Sequence, residues 1–147
     1  MLKGIPSVIS PELLKILDEM GHGDELLLAD ANYPSSSMGR PCVRADGHDI
    51  TTMLEAILPL FPLDTYVETP VLLMGVTQDA SGNFDVEGDP PVWTKYHAAV
   101  DANQAGIKFG KLGRFEFYDR GKTVYAVVAT GETSLYGNVI IKKGIIV

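Results

Sequence analysis

The chain predicts an α/β fold, a single domain spanning residues 1–147 with helices packed on a central sheet. Three observations carry this. Segments with apolar residues at helical spacing alternate with short continuous apolar runs through most of the length. Those runs, at 26–29 and 71–76, are bounded by polar or turn residues, the pattern of strands buried on both faces. The 147 residues, 46% hydrophobic and 21% charged, suffice for one sizeable core. The spacing leaves the strand order open.

The first helix is well punctuated. Ser10 can cap it, Pro11 suits the first turn, and Glu12 sits at the positive end of the dipole. Leu13, Leu14, Ile16, Leu17 and Met20 form its apolar face, and Gly21 is placed to end it. Residues 26–29 are too few for a second helix and read as a buried strand. Residues 31–41 are loop by composition. A short strand over 42–45 follows, closed by Asp46-Gly47. Asp49 can cap a second helix carrying Ile50, Met53, Leu54, Ile57 and Leu58, with Pro59 and Pro62 marking its end.

A strand is expected at 71–76. Residues 77–91 hold four acids and little apolar content, and read as a flexible or inserted segment. Trp93, Tyr96 and Val100 recur at helical spacing and predict a third helix over 92–103. Residues 114–120 carry both periodicities: Phe115 and Phe117 alternate like a strand, while Phe115 and Tyr118 suit one helical face. The helix is preferred, ended by Gly121. Strands at 124–129 and 139–141 complete the expectation.

Composition excludes several functions. A net charge of −7 argues against nucleic acid, which needs a basic face. It fits a neutral small molecule. Cys42 is the only cysteine, so no intramolecular disulfide forms, and it reads as a small buried residue rather than a nucleophile. Residues 1–6 lack the apolar stretch of a signal peptide, and no apolar run reaches the ~18 residues of a membrane span. These features point to the cytoplasm and away from a membrane partner. His22, His48 and His97 lack metal-ligand spacing, so no metal is expected. Gly21-His22-Gly23-Asp24 lacks the spacing of a dinucleotide loop, and Ser35-Ser36-Ser37 lacks the context of a hydrolase nucleophile.

Chemistry gathers elsewhere. His22 stands in a glycine-flanked turn, and Asp30 stands where a buried strand should stop. An imidazole exchanges protons near neutrality, and ligand sites in α/β sheets lie beyond the carboxyl ends of strands. The two are candidates for an active-site pair. The plain alternatives are a surface histidine after a helix and an aspartate that starts a turn. Arg114 and Tyr136-Gly137-Asn138 form a third group. Tyrosine and asparagine supply donors and acceptors, as sugar hydroxyls require. Against this, Asn138 is an ordinary turn residue before a strand, and Arg114 could pair with Glu116, Asp119 or Glu132 on the surface.

Several segments together carry a resemblance. They are ISPELLKILDEMGHGDELLLADANYP, SMG, RADG, AILPLFPLD, RFEFYDR and TGETSLYGNVIIKKG, in this order over nearly the full length. The chain resembles the fucose mutarotase and ribose pyranase family, the RbsD/FucU group. Arg114 and Tyr136-Gly137-Asn138 look like the fucose branch; the ribose branch tends to have histidine at the first position and alanine in the middle of the second. The resemblance implies a sugar isomerase needing no cofactor. It implies His22 as general acid, with Asp30, Arg114, Tyr136, Gly137 and Asn138 holding the monosaccharide. It also implies a three-layer α/β domain assembled into a homo-oligomeric ring, commonly a decamer, with sites close to subunit boundaries. Asn32 departs from the histidine common in the fucose branch, and residues 77–91 look longer than usual. Both bear on which sugar fits. Ribose pyranase activity, a non-catalytic sugar-binding protein and a structural ring protein are the alternatives.

Overall fold

The computed structural model describes residues 1–147. The chain is α/β, with a six-stranded mixed sheet and four helices around it. The strands are β1 (Glu25–Ala29), β2 (Cys42–Ala45), β3 (Val71–Met74), β4 (Phe109–Leu112), β5 (Ala126–Thr130) and β6 (Val139–Lys142). The helices are α1 (Pro11–Glu19), α2 (Ile50–Ile57), α3 (Pro91–Asn103) and α4 (Arg114–Gly121).

Local chemistry sets these boundaries. Ser10 caps α1 by accepting the Leu13 amide at 3.1 Å, and Asp49 caps α2 by accepting the Thr52 amide at 2.7 Å. The end of α1 differs from expectation. Gly21 is not left-handed; Gly23 is, at φ 87°. The Lys143 ammonium, 2.6 Å from the carbonyls of both Leu17 and Met20, supplies donors for the last turn instead. The short 3-10 turn Leu58–Leu60 follows α2.

The sheet order is β2-β5-β1-β6-β3-β4. β1 and β2 both run parallel to β5, β4 runs parallel to β3, and β6 runs antiparallel to β1 and β3. Five strands therefore point one way and β6 the other. The carboxyl ends of the five and the amino end of β6 share one edge of the sheet.

Side chains alternate along each strand. Leu26, Leu28, Val71, Leu73, Val128 and Ile141 face α1, α2 and α3, in a core of 27 buried residues. Leu27, Leu72, Met74, Val127 and Ile140 face the other way, where Phe117 of α4, with Tyr33 and Val124, joins them in a buried cluster of nine. Three helices lie on one face and one on the other. At its far end α4 is tied to the sheet by Arg120, which grips buried Glu25 at 2.6 and 2.8 Å, while Lys142 adds a contact at 3.2 Å.

β4 was not evident from its residues. Phe109-Gly110-Lys111-Leu112 has no apolar run, because it is an edge strand with Lys111 exposed. Gly110 lets it approach, since a Cβ there would lie 2.8 Å from Thr69 Oγ1. β3 stops at Met74, two residues short of expectation, and β5 starts at Ala126 rather than 124.

Candidate sugar site

Asp30 follows β1, Arg114 follows β4, Met74 ends β3 and Asn138 precedes β6. The shared sheet edge thus gathers residues from distant parts of the chain. They line a cleft of about 180 Å³ together with Tyr118 and Tyr136. Tyr33, Thr77 and Asp85 also contribute to its wall.

Asp30 and Asn138 form a reciprocal pair at the floor. The Asp30 amide donates to Asn138 Oδ1 at 2.8 Å, and Asn138 Nδ2 donates to Asp30 Oδ2 at 2.7 Å. The Asn32 amide donates to the other carboxylate oxygen at 2.9 Å. Both side chains are buried. Burial pushes the Asp30 carboxyl above the usual range. The Asn32 and Tyr33 amides and the Asn138 side chain oppose that shift, and the charge of buried Glu132 adds to it. The result is a carboxylate fixed in place and readier to take a proton than an exposed one.

Arg114 opens α4, where the helix dipole disfavours a cation. None of the surface pairings open to it forms. Asp119 instead meets Lys122, and the Arg114 guanidinium lies 5.9 Å from the centre of the Tyr118 ring. Arg114 makes no ion pair. A cation at an unfavourable helix end, free of carboxylates and lining a cleft, is available to a ligand's oxygens.

The segment 136–138 divides its work. Asn138 holds Asp30. Tyr136 stands at the rim with φ 56°, the one non-glycine residue in the left-handed region. Gly137 does not line the cleft. Its carbonyl accepts the Tyr96 hydroxyl at 2.8 Å, and a Cβ would lie 2.9 Å from Glu132 Cγ, so only glycine fits there without a shift. The Trp93 indole N–H donates to the Tyr136 carbonyl at 2.9 Å, fixing the turn from the α3 side.

His22 lies elsewhere. It precedes β1, whereas Asp30 follows it, and the Gly23 amide bonds the Lys143 carbonyl beyond the far end of β6. Five strand residues separate the two edges by roughly 16 Å. Within one chain, therefore, His22 and Asp30 are not a pair, and Asp30 does not orient His22. The turn before β1 and the turn after it fall on opposite sides of the sheet. The carboxylate that meets His22 is Asp64, with Oδ1 3.2 Å from Nε2. The same oxygen accepts the Tyr66 amide at 2.9 Å. Burial pushes the Asp64 carboxyl up, but the Tyr66 amide, His22 and Lys142 outweigh it and hold it below the usual range. The His22 side chain is 44% exposed, beside an exposed Tyr66 ring at 5.4 Å.

Asp64, Tyr118 and Asp85 are among the site residues that sequence reasoning missed. Asp64 and Tyr118 sit inside quoted motifs, and an acid directly after an apolar, proline-bearing run is the signal that could have singled out Asp64. Asp85 stands in 77–91, where composition gives no hint of a contact. No group of three or more His, Cys, Asp or Glu side chains is arranged to hold a metal ion, and no helix is long and apolar enough to cross a membrane.

Comparison with known proteins identifies the lineage. Residues 3–146 match the RbsD / FucU transport protein family, and the chain belongs to it. It is 52% identical to the fucose mutarotase of Mus musculus over 147 residues, covering 97% of this chain and 94% of that one. It is 51% identical to the L-fucose mutarotase of Actinobacillus pleuropneumoniae serotype 5b over 146 residues, covering 99% and 97%. A crystal structure of the fucose mutarotase from Streptococcus pneumoniae in complex with L-fucose superposes with a TM-score of 0.88 at 46% identity, covering 99% of this chain and all of that one.

Proposed function

We propose that the protein is a mutarotase that interconverts the α and β anomers of L-fucose by acid/base ring opening and reclosure. The observation that carries this is the cleft itself. In a relative of fucose mutarotases it combines a buried Asp30–Asn138 pair with the unpaired cation of Arg114. The donors and acceptors match a polyhydroxylated neutral ligand, and the chain's charge of −7 gives no reason to expect an anionic one.

The chemistry is modest. The ring oxygen gains a proton as its bond to the anomeric carbon breaks, and the anomeric hydroxyl loses one as the carbonyl forms. The aldehyde turns about its bond to the next carbon, and the ring oxygen adds back on the other face with the protons returned. One C–O bond breaks and reforms, and no electrons are transferred. A positioned acid and base supply about 10²–10⁴ in rate to such steps.

Residues 1–147 are taken as one mutarotase-like domain in the cytoplasm. His22 is the acid, oriented by Asp64. Asp30 accepts a sugar hydroxyl and, with its raised affinity for a proton, is the candidate base. Arg114 and Asn138 hold ring oxygens, Tyr136 packs on or bonds the sugar, and Gly137 keeps the turn compact. Because the acid and the cleft occupy opposite edges of one chain, a second copy in a homo-oligomeric ring, a decamer by family resemblance, brings its His22 to the cleft. Exposed Tyr66 and Val67 near His22 give that edge the apolar character of a contact surface.

Saturation-transfer NMR over a panel of monosaccharides tests the reading. L-Fucose anomers are expected to exchange faster in the presence of the protein. Acceleration with D-ribose alone would make it a pyranase. A sugar that raises the melting temperature without faster exchange would make it a binding protein, and no effect of any sugar on stability would leave a structural role.

The pH profile of the same assay tests Asp30. If Asp30 must be ionised, exchange falls on acidification with a midpoint above the ~3.9 of an ordinary aspartate. Stability runs the opposite way. A raised value in the fold means Asp30 contributes most below its unfolded pKa, and that contribution is lost as pH rises through the folded one. An acid limb at or below the ordinary value would remove Asp30 as the base.

A further inference from the structure

The segment 77–91 is built as a hairpin with a defined end. Gln78 and Phe84 pair as an antiparallel bridge. The Asp79 amide donates to the Asn83 carbonyl at 2.8 Å, and Asp79 Oδ1 accepts the Ser81 and Asn83 amides at 2.8 and 2.9 Å. Gly82, at φ 84°, turns the chain. Thr77 and Asp85 flank the bridged pair and so face each other at the open end of the hairpin.

The Tyr136 hydroxyl sits between them. It accepts the Thr77 amide at 3.2 Å, and it lies 3.2 Å from Thr77 Oγ1, 3.3 Å from the Thr77 carbonyl and 3.1 Å from Asp85 Oδ2. A phenol has one proton to give. The carboxylate is the stronger acceptor, so the proton goes to Asp85. This clamp helps hold Tyr136 in a left-handed conformation, φ 56°, that is strained for a residue with a side chain. Asp85 has no cationic partner, and no hydrogen bond occupies its Oδ1. It nonetheless lines the cleft with Arg114, Asp30 and Asn138. One oxygen is committed to the rim tyrosine, and the other is free for a hydroxyl donor in the cleft.

We propose that Asp85 is a specificity-determining residue, with Oδ2 fixing Tyr136 and Oδ1 accepting one particular hydroxyl of the bound sugar. This rests on the sugar-site reading above and adds the wall that selects among sugars. The hairpin delivers the carboxylate, and Tyr136 sets its position.

The test pairs Asp85→Ala with the mono-deoxy forms of L-fucose in the anomer-exchange assay. For L-fucose the variant is expected to raise the half-saturating concentration about tenfold, the effect of one hydrogen bond to a charged group. The saturated rate should change less than about twofold, because Asp85 is assigned no proton transfer. For the one deoxy sugar lacking the selected hydroxyl, the penalty should shrink to the smaller, sugar-independent part that comes from releasing Tyr136. Asp85→Asn, which keeps an acceptor without the charge, should recover part of it. A merely structural displacement of the hairpin would penalise every sugar equally, and that uniform result, or no penalty at all, overturns the proposal. If the parent protein binds sugars without speeding exchange, the mutarotase reading fails alone. Asp85 is then read from sugar-induced thermal stabilisation, which Asp85→Ala should weaken most for sugars carrying the hydroxyl. If no sugar stabilises or is exchanged by the parent, both readings fall.

Discussion

Replacing His22 with alanine is expected to slow the catalysed exchange of L-fucose anomers by about 10²–10⁴. On the proposed reading the imidazole is the acid that lets the ring oxygen leave, and the cleft residues on the opposite edge hold a hydroxylated ring without supplying it. Saturation-transfer NMR measures the loss directly, and an alanine variant as fast as the parent would end the acid assignment. Because His22 also meets buried Asp64 at 3.2 Å, alanine leaves that carboxylate with fewer partners. His22→Gln separates the two roles. Its amide can still donate to Asp64 but cannot titrate, so it should melt like the parent and exchange as slowly as alanine. The arrangement across the sheet adds a sharper test. His22→Ala and Asp30→Ala should each be inactive, yet co-expressed rings should recover activity. A contact between the intact His22 edge of one copy and the intact Asp30 edge of the other forms in about a quarter of sites on random mixing. No recovery would show that neighbouring copies do not complete each other's sites.

The fold was legible wherever local chemistry governs. The caps of α1 and α2, the buried runs of β1 and β3 and the helix over 91–103 follow from side-chain type and spacing, because each is decided within a few residues. β4 was illegible because an edge strand needs no apolar run, and its partner β3 is far away in sequence. The site divides the same way. Asp30, Arg114, Tyr136 and Asn138 could be named singly, and their meeting follows from the one antiparallel strand, β6, which starts where β1 ends. That reversal is not written in any local pattern. It also explains His22: a residue eight positions before Asp30 looks like its neighbour in the sequence, and a five-residue strand carries it to the far edge. Asp64 and Asp85 went unseen because their meaning lies in partners 42 and 51 residues away.

The reciprocal pair at the cleft floor makes the second large effect. In Asn138→Asp the new carboxylate can still accept the Asp30 amide through the oxygen that replaces Oδ1. Its other oxygen takes the place of the amide that donated to Asp30 Oδ2 at 2.7 Å. Two acceptors then face each other, and both residues are buried. Carboxylates so placed share a proton, and the pair's upper titration step moves well above the ordinary range. Below that step an O–H donor replaces the lost N–H donor, and the fold tolerates the change. Above it both groups are charged, and the variant is expected to lose about 3–5 kcal/mol, lowering the melting temperature by roughly 10 °C. The sign is set by linkage: a pKa raised in the fold adds stability at low pH, and that stability disappears as pH rises through the folded value. Thermal unfolding near pH 5 and near pH 7, compared with the parent at each pH, measures it. Asn138→Ala separates the charge from the lost hydrogen bonds, because it orphans the Asp30 amide without adding a carboxylate. It should cost about 1–3 kcal/mol with a much weaker dependence on pH. A deficit in Asn138→Asp that is the same at both pH values would mean the two side chains do not meet. With that contact gone, the floor of the cleft would need another support, and burial would raise the proton affinity of Asp30 with one fewer hydrogen bond opposing it.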